Sequence, residues 1–301
     1  MYEDLSWSEA KDLLRKWRDD NERKSDEVVQ IFEYCLADKI KKLGTERLII
    51  LEQVFVAALD CSRIKLAEDC IRVLISEFPE SLRVMKLKAM LLEALERYDD
   101  ALDVLESIIK KDETNAAARK RKVAILKAKG QISDAIKELC DYLKKFMSDQ
   151  EAWHELCNLY LIEGDFTKAS FCMEEVLLHN PYSHLVHQRI GDIRYTIGGQ
   201  ENIEIAKSYY AQAVKLNGNN LRALYGLYLC CSHIATSKAQ VTKRKEAQKL
   251  ATWAMSKIFD ITNKSSKQQQ KSSKTSTGNN KNSTDIEALE AAFGNLDAKL
   301  N

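Results

Sequence analysis

Proline and glycine are scarce in this chain, at 2 and 10 of 301 residues, where roughly 5% and 7% are usual. The punctuation that joins many short strands is missing, which nearly excludes sandwiches and barrels. Charge of one sign is not in excess either. The 46 Lys and Arg oppose 45 Asp and Glu, net +1, so no global field gathers nucleic acid or an anionic membrane. Long apolar runs are lacking: Leu48-Ile49-Ile50-Leu51 is cut by Glu52 and Leu91-Leu92 by Glu93, short of the roughly 18 residues a bilayer span needs. The acidic start Met1-Tyr2-Glu3-Asp4-Leu5 lacks the positive, then apolar, pattern of a signal peptide. Neither a Met-Gly start nor a C-terminal Cys box encodes a lipid anchor. Eight cysteines contain no C-x-x-C, so a zinc framework is not indicated and a reducing, cytosolic setting is expected.

Catalytic constellations are missing as well. Gly198-Gly199 follows no strand and precedes Glu201, which suits no anion, and there is no G-x-S-x-G. His179, His184 and His187 cluster near a turn without a carboxylate or Cys at ligand spacing beside them, and read as surface or groove histidines. Cys70 and Cys172, three periods apart, read as small core residues. The expectation is a chain that is not an enzyme, with no cofactor and no metal.

What is present is a period of 34 residues. Small residues recur at Ala67, Ala101, Ala135 and Ala169, and Ala206 follows after 37, the excess fitting a loop at Gly198-Gly199-Gln200. Three residues before the first four lie Ile64, Tyr98, Ile132 and Phe166; four residues after them come Ile71, Leu105, Leu139 and Met173. Apolar spacings of three and four make each half-unit an amphipathic helix, so each unit is a helical hairpin. The small residue lets the two helices approach closely. Lys129-Gly130-Gln131 and Glu163-Gly164-Asp165 mark turns within units, and Pro79 and Pro181 mark their ends. No unit buries its face alone, so units must stack.

The pattern resembles the tetratricopeptide repeat. Residues 150–183 carry Trp153, Leu156, Tyr160, Gly164, Phe166, Ala169 and Pro181, with Cys157 at the usual Gly position and Met173 at the aromatic one. The resemblance implies an all-α solenoid of stacked hairpins, with units near 48–81, 82–115, 116–149, 150–183, 184–220 and 221–260. Before it, residues 1–47 read as an N-terminal helical cap opened by Ser6-x-x-Glu9, with a helical pair ending near Gly44. After it, residues 261–301 read as a disordered Lys/Ser-rich linker and a short amphipathic helix from Thr284, striped by Ile286, Leu289, Phe293, Leu296 and Leu300. That stripe is suited to docking on a partner or back on the solenoid. Without the five Lys of 261–282 the rest holds 41 basic against 45 acidic residues, net −4.

In this repeat family first helices line the concave surface, so a partner-binding groove can be projected from the period. It comprises Lys86, Lys120, Arg121, Glu151, His154, Glu155, Asn158, Gln188, Arg189, Arg222 and Tyr225. A long groove of mixed charge suits extended polypeptide. The carboxylate clamp of chaperone-binding members is not matched: Ala124 follows Lys120, and Glu155 stands where a neutral Asn is needed. Arg119-Lys120-Arg121-Lys122 spans about 300° of a helix, so it forms no flat basic patch, and no basic stripe with interleaved aromatics marks an RNA-binding repeat.

A closer resemblance lies in Met90-Leu91-Leu92-Glu93-Ala94-Leu95-Glu96-Arg97-Tyr98-Asp99-Asp100-Ala101, Asn115-Ala116-Ala117-Ala118-Arg119-Lys120-Arg121-Lys122 and Asp149-Gln150-Glu151-Ala152-Trp153-His154-Glu155-Leu156. It continues through Asn180-Pro181-Tyr182, Tyr195-Thr196-x-Gly198-Gly199 and Arg222-Ala223-Leu224-Tyr225-Gly226-Leu227-Tyr228. These stretches are similar to the subunit 2 family of the endoplasmic reticulum membrane protein complex, from about residue 5 to 260. The resemblance implies a non-catalytic scaffold, peripheral on the cytosolic face of the endoplasmic reticulum membrane. It also implies partners among the membrane-embedded subunits and a globular cytosolic subunit, in support of insertion of tail-anchored and multi-spanning proteins. The alternative is a soluble tetratricopeptide-repeat adaptor for chaperones or other proteins.

Overall fold

The computed structural model describes residues 5–44, 46–237 and 240–272, and among these has fourteen α-helices and no strand. Ser6 opens α1 (Trp7–Asp19). Its backbone N–H donates to Glu9 Oε2 at 3.0 Å while the Glu9 N–H donates to Ser6 Oγ at 3.3 Å, the reciprocal cap that Ser6-x-x-Glu9 predicts. α2 (Ser25–Ile31) runs on into a π turn over Phe32–Leu36 and a 3-10 stretch over Ala37–Leu43. Gly44, at φ +57° in the left-handed region, ends that run.

Six consecutive helix pairs follow. They are α3 (Glu46–Asp60) and α4 (Ile64–Glu77), α5 (Leu82–Ala94) and α6 (Tyr98–Lys111), and α7 (Ala116–Ala128) and α8 (Ile132–Lys145). Then come α9 (Gln150–Glu163) and α10 (Phe166–His179), α11 (His184–Ile197) and α12 (Gln200–Leu216), and α13 (Leu221–Thr236) and α14 (Val241–Ser272). The periodic residues take matching places. Ile64, Tyr98, Ile132 and Phe166 are each the first residue of a second helix, and Ala67, Ala101, Ala135, Ala169 and Ala206 are all fully buried. Ile71, Leu105, Leu139 and Met173, one turn further on, are buried with them. Four of the first helices, α7, α9, α11 and α13, share a cap: Asn115, Asp149, Ser183 and Asn220 each accept from the backbone N–H three residues ahead, at 3.1 to 3.4 Å.

The chain forms two compact units, Met1–Tyr142 and Leu143–Asn301. In the first, α3 packs on α2 and α4, and α5 to α7 continue neighbour to neighbour. In the second, α9 through α14 each pack on the next, and the first helices α11 and α13 also touch. Packing restricted to neighbours is what makes a stack of hairpins a solenoid.

One end differs from expectation. α14 continues through Ser272, past the boundary at 260 where composition predicts a disordered linker. No Gly or Pro interrupts 241–272, Lys and Gln are good helix formers, and Ile261 packs with the cluster of α12 and α13, so nothing stops the helix. The amphipathic helix expected from Thr284, with the linker beyond Ser272, lies outside the described residues.

None of the eight cysteines is joined in a disulfide. Burial pushes the thiols of Cys70 and Cys230 up to about 12 and those of Cys157 and Cys231 to about 11. Thiolate is the reactive form, so alkylation of the native chain at pH 8 should leave these four unlabelled until denaturant is added. Full-rate labelling of any of them in the folded protein would show that its helix opens.

Candidate binding face of the first helices

Lys86, Lys120, His154, Gln188 and Arg222 recur every 34 residues and hold one register on α5, α7, α9, α11 and α13. Arg121, Glu155 and Arg189 hold the next. Within the first unit the cations of α7 are engaged. Lys120 Nζ lies 5.9 Å from the centroid of the Tyr142 ring, a cation–π distance. Arg121 Nη1 donates to Glu93 Oε2 at 2.5 Å, tying α7 back to α5. Arg119 lies 3.5 Å and Lys122 2.9 Å from Glu138, and Lys122 is also 3.3 Å from Glu106. Arg119 and Lys122 thus share Glu138 while Lys120 and Arg121 turn to Tyr142 and Glu93, so the four consecutive cations form no single basic patch. Lys86 is half-buried on α5.

Three of the projected residues meet in the second unit. His154 and Asn158 of α9 and Arg189 of α11 line an open pocket of about 420 Å³, shared with Gln150, Asn180 and Ser183 and with the apolar Met173, Val176 and Val186. Amide side chains that both donate and accept, a fixed guanidinium, and apolar wall suit the alternating demands of an extended peptide: backbone N–H and C=O to satisfy, side chains to seat. Glu151, Glu155 and Gln188 sit on the same two helices but do not line this pocket.

Arg222 is drawn elsewhere. Its Nε donates to Asp192 Oδ2 at 2.9 Å, and the Tyr210 hydroxyl donates to Asp192 Oδ1 at 2.7 Å, so one carboxylate ties α11, α12 and α13. Burial, reinforced by that hydrogen bond to Asp192, holds the Tyr210 phenol well above its ordinary pKa; burial also raises the half-buried Tyr225. The Tyr210 ring fits against two glycines. A Cβ added at Gly226 would stand 2.3 Å from Tyr210 Cζ, and one at Gly191 2.9 Å from Cε1. Sequence reasoning missed Asp192 and Tyr210. Asp192 lies one period after Asn158 and was within reach of the same projection; Tyr210 sits on a second helix and was not.

His184 and His187 are held in local contacts. His187 Nε2 donates to the Pro181 carbonyl at 2.9 Å, bracing the turn between α10 and α11. The His184 ring lies between the side-chain amides of Asn217 and Asn220, 3.2 and 3.0 Å from its two nitrogens. Among the described residues no group of three His, Cys, Asp or Glu is placed to hold a metal ion, and no helix is long and apolar enough to cross a membrane.

Helix pairs on a 34-residue period, closed by alanines at the approach and faced by first helices, define a tetratricopeptide-repeat protein. The crystal structure of the C-terminal part of a TPR repeat-containing protein from Cytophaga hutchinsonii superposes with a TM-score of 0.60 at 14% identity, covering 85% of this chain and 95% of that one, which shows the fold. The sequence is 47% identical over 256 residues to ER membrane protein complex subunit 2-A of Xenopus laevis, covering 85% of this chain and 86% of that protein. It is 33% identical over 274 residues to ER membrane protein complex subunit 2 of Dictyostelium discoideum, covering 86% and 84%. Residues 67–201 match the family described as the EMC2 TPR-like repeat domain. This chain belongs to the ER membrane protein complex subunit 2 family, whose members are non-catalytic repeat scaffolds. The projected residues from Lys86 to Arg189 lie inside the matched stretch; Arg222 and Tyr225 lie beyond it.

Proposed function

We propose that this chain is a scaffold subunit of an endoplasmic reticulum membrane protein complex, peripheral on the cytosolic face. Its first-helix faces hold extended cytosolic segments of membrane-embedded subunits and pack against a globular cytosolic one. By fixing those subunits relative to one another it supports insertion of tail-anchored and multi-spanning proteins. In this reading residues 1–47 cap the stack, 48–260 carry its repeats, with α14 running on from them to Ser272, and the residues beyond form a tail. The observation that carries the peptide-holding role is the open pocket where His154, Asn158 and Arg189 converge; the names of the relatives support the complex and its membrane.

A tagged copy purified from membranes in mild detergent should bring with it a fixed set of integral membrane proteins. The double variant His154→Glu/Arg189→Glu should lower that recovery at least tenfold, equivalent to about 1.4 kcal/mol, with its helical circular dichroism unchanged. Recovery of the unaltered chain from cytosol alone would overturn the scaffold reading. Full co-purification of the folded variant would instead remove the pocket from it.

A further inference from the structure

The second unit has another opening, unrelated to the first-helix face. A groove of about 470 Å³ runs beside α14, walled by Val214, Leu227, Leu250 and Trp253 and flanked by two cations, Lys215 and Lys257, against one carboxylate, Asp260. Trp253 is 43% exposed there, a large apolar ring left partly in water. Lys215 and Lys257 make no ion pair among the described residues.

We infer that the occupant of this groove is the chain's own C-terminal segment, residues 284–300. Three arguments converge. The segment repeats apolar residues at Ile286, Leu289, Phe293, Leu296 and Leu300, a spacing that on a helix would make one apolar stripe. Its charge is complementary: residues 284–301 hold Asp285, Glu287, Glu290 and Asp297 against Lys299 alone. Glu290 and Asp297 each fall four residues after a stripe position, Ile286 and Phe293, and so border the apolar face, where Lys215 and Lys257 can meet them. Reach is sufficient. From Ile261 at the groove, α14 carries the chain away by about 17 Å to Ser272, and residues 273–283 can span about 36 Å on the return. The Ser, Thr, Asn and Gly of that stretch suit a tether. The docked segment covers the apolar end of the stack as a terminal cap, which a solenoid needs at each end.

The test uses the full chain in the cells that express it, with a photoreactive phenylalanine analogue replacing Phe293. Illumination should join position 293 to peptides of the same chain containing Leu250 to Lys257 or Val214 to Gly218. Lys215→Glu/Lys257→Glu should lower that yield at least fivefold, and adding Glu290→Lys/Asp297→Lys to it should restore the yield, which a misfolded variant would not allow. Crosslinks to another protein, to a differently tagged second copy or to other helices overturn the inference, as does a yield no higher than with the analogue placed in the tether at Asn279.

Discussion

Leu105→Ala should lower the stability of the first unit by about 2–5 kcal/mol, the range for deleting a leucine side chain where the surroundings cannot collapse. Leu105 is completely buried on α6 and shares a cluster with Ala89 and Leu92 of α5, Ile108 of α6, and Ala118 and Ile125 of α7. Two of those neighbours are alanines, with no side chain to swing into the cavity. Stability in a stack of repeats is close to a sum of local and nearest-neighbour contributions, so the loss should be confined. Amide exchange should accelerate across α5 to α7 and stay unchanged across α12 to α14. Leu178→Ala, at a side chain 76% exposed on α10, is the control and should stay within about 0.5 kcal/mol of the parent. Uniform acceleration throughout the chain would mean that the repeats melt as one block.

The fold was legible because close approach of two helices leaves a trace in composition. A position that admits only a methyl group must recur wherever the hairpin recurs, and Ala67, Ala101, Ala135, Ala169 and Ala206 are the fully buried result. The caps Asn115, Asp149 and Ser183 keep the same period and would have marked the first helices independently. The candidate site was legible only in part. A period assigns a side chain to a helix and a face, but not to its partner: Arg121 turns to Glu93 and Arg222 to Asp192, each on the preceding first helix. Of eleven projected residues, His154, Asn158 and Arg189 share a pocket, because they alone face the gap between α9 and α11 where the turn at Asn180 and Ser183 opens it. The extension of α14 to Ser272 was hidden for a different reason. Lys, Gln and Ser fail to build a core and so read as disorder, yet they do not oppose a helix already under way.

Gly226→Ala should destabilise the second unit, although helix propensity alone favours alanine in mid-helix by about 0.8–1 kcal/mol. The added Cβ would lie 2.3 Å from Tyr210 Cζ and 2.4 Å from Cε1, where carbon atoms rest at about 3.5–4.0 Å, so the ring would have to retreat by more than an ångström. It has nowhere to go. Gly191 also lies close to the ring, since a Cβ there would be 2.9 Å from Cε1 and 3.0 Å from Cδ1, and the hydroxyl is held by Asp192, which also holds Arg222. Overpacking of this kind costs about 1–3 kcal/mol, which at a contact this short outweighs the propensity gain and leaves a net loss of up to about 2 kcal/mol. In a chain of this size each kcal/mol lowers Tm by roughly 2–4 °C. The sign should reverse when the obstacle is removed: in a Tyr210→Leu background, Gly226→Ala should be neutral or stabilising, giving a coupling of about 1–3 kcal/mol between the two positions. Equal destabilisation in both backgrounds would show that something other than the Tyr210 ring forbids a side chain at residue 226. A reversal would mean that the glycine is retained for one neighbouring phenol, whose hydroxyl secures the carboxylate on which α11, α12 and α13 converge.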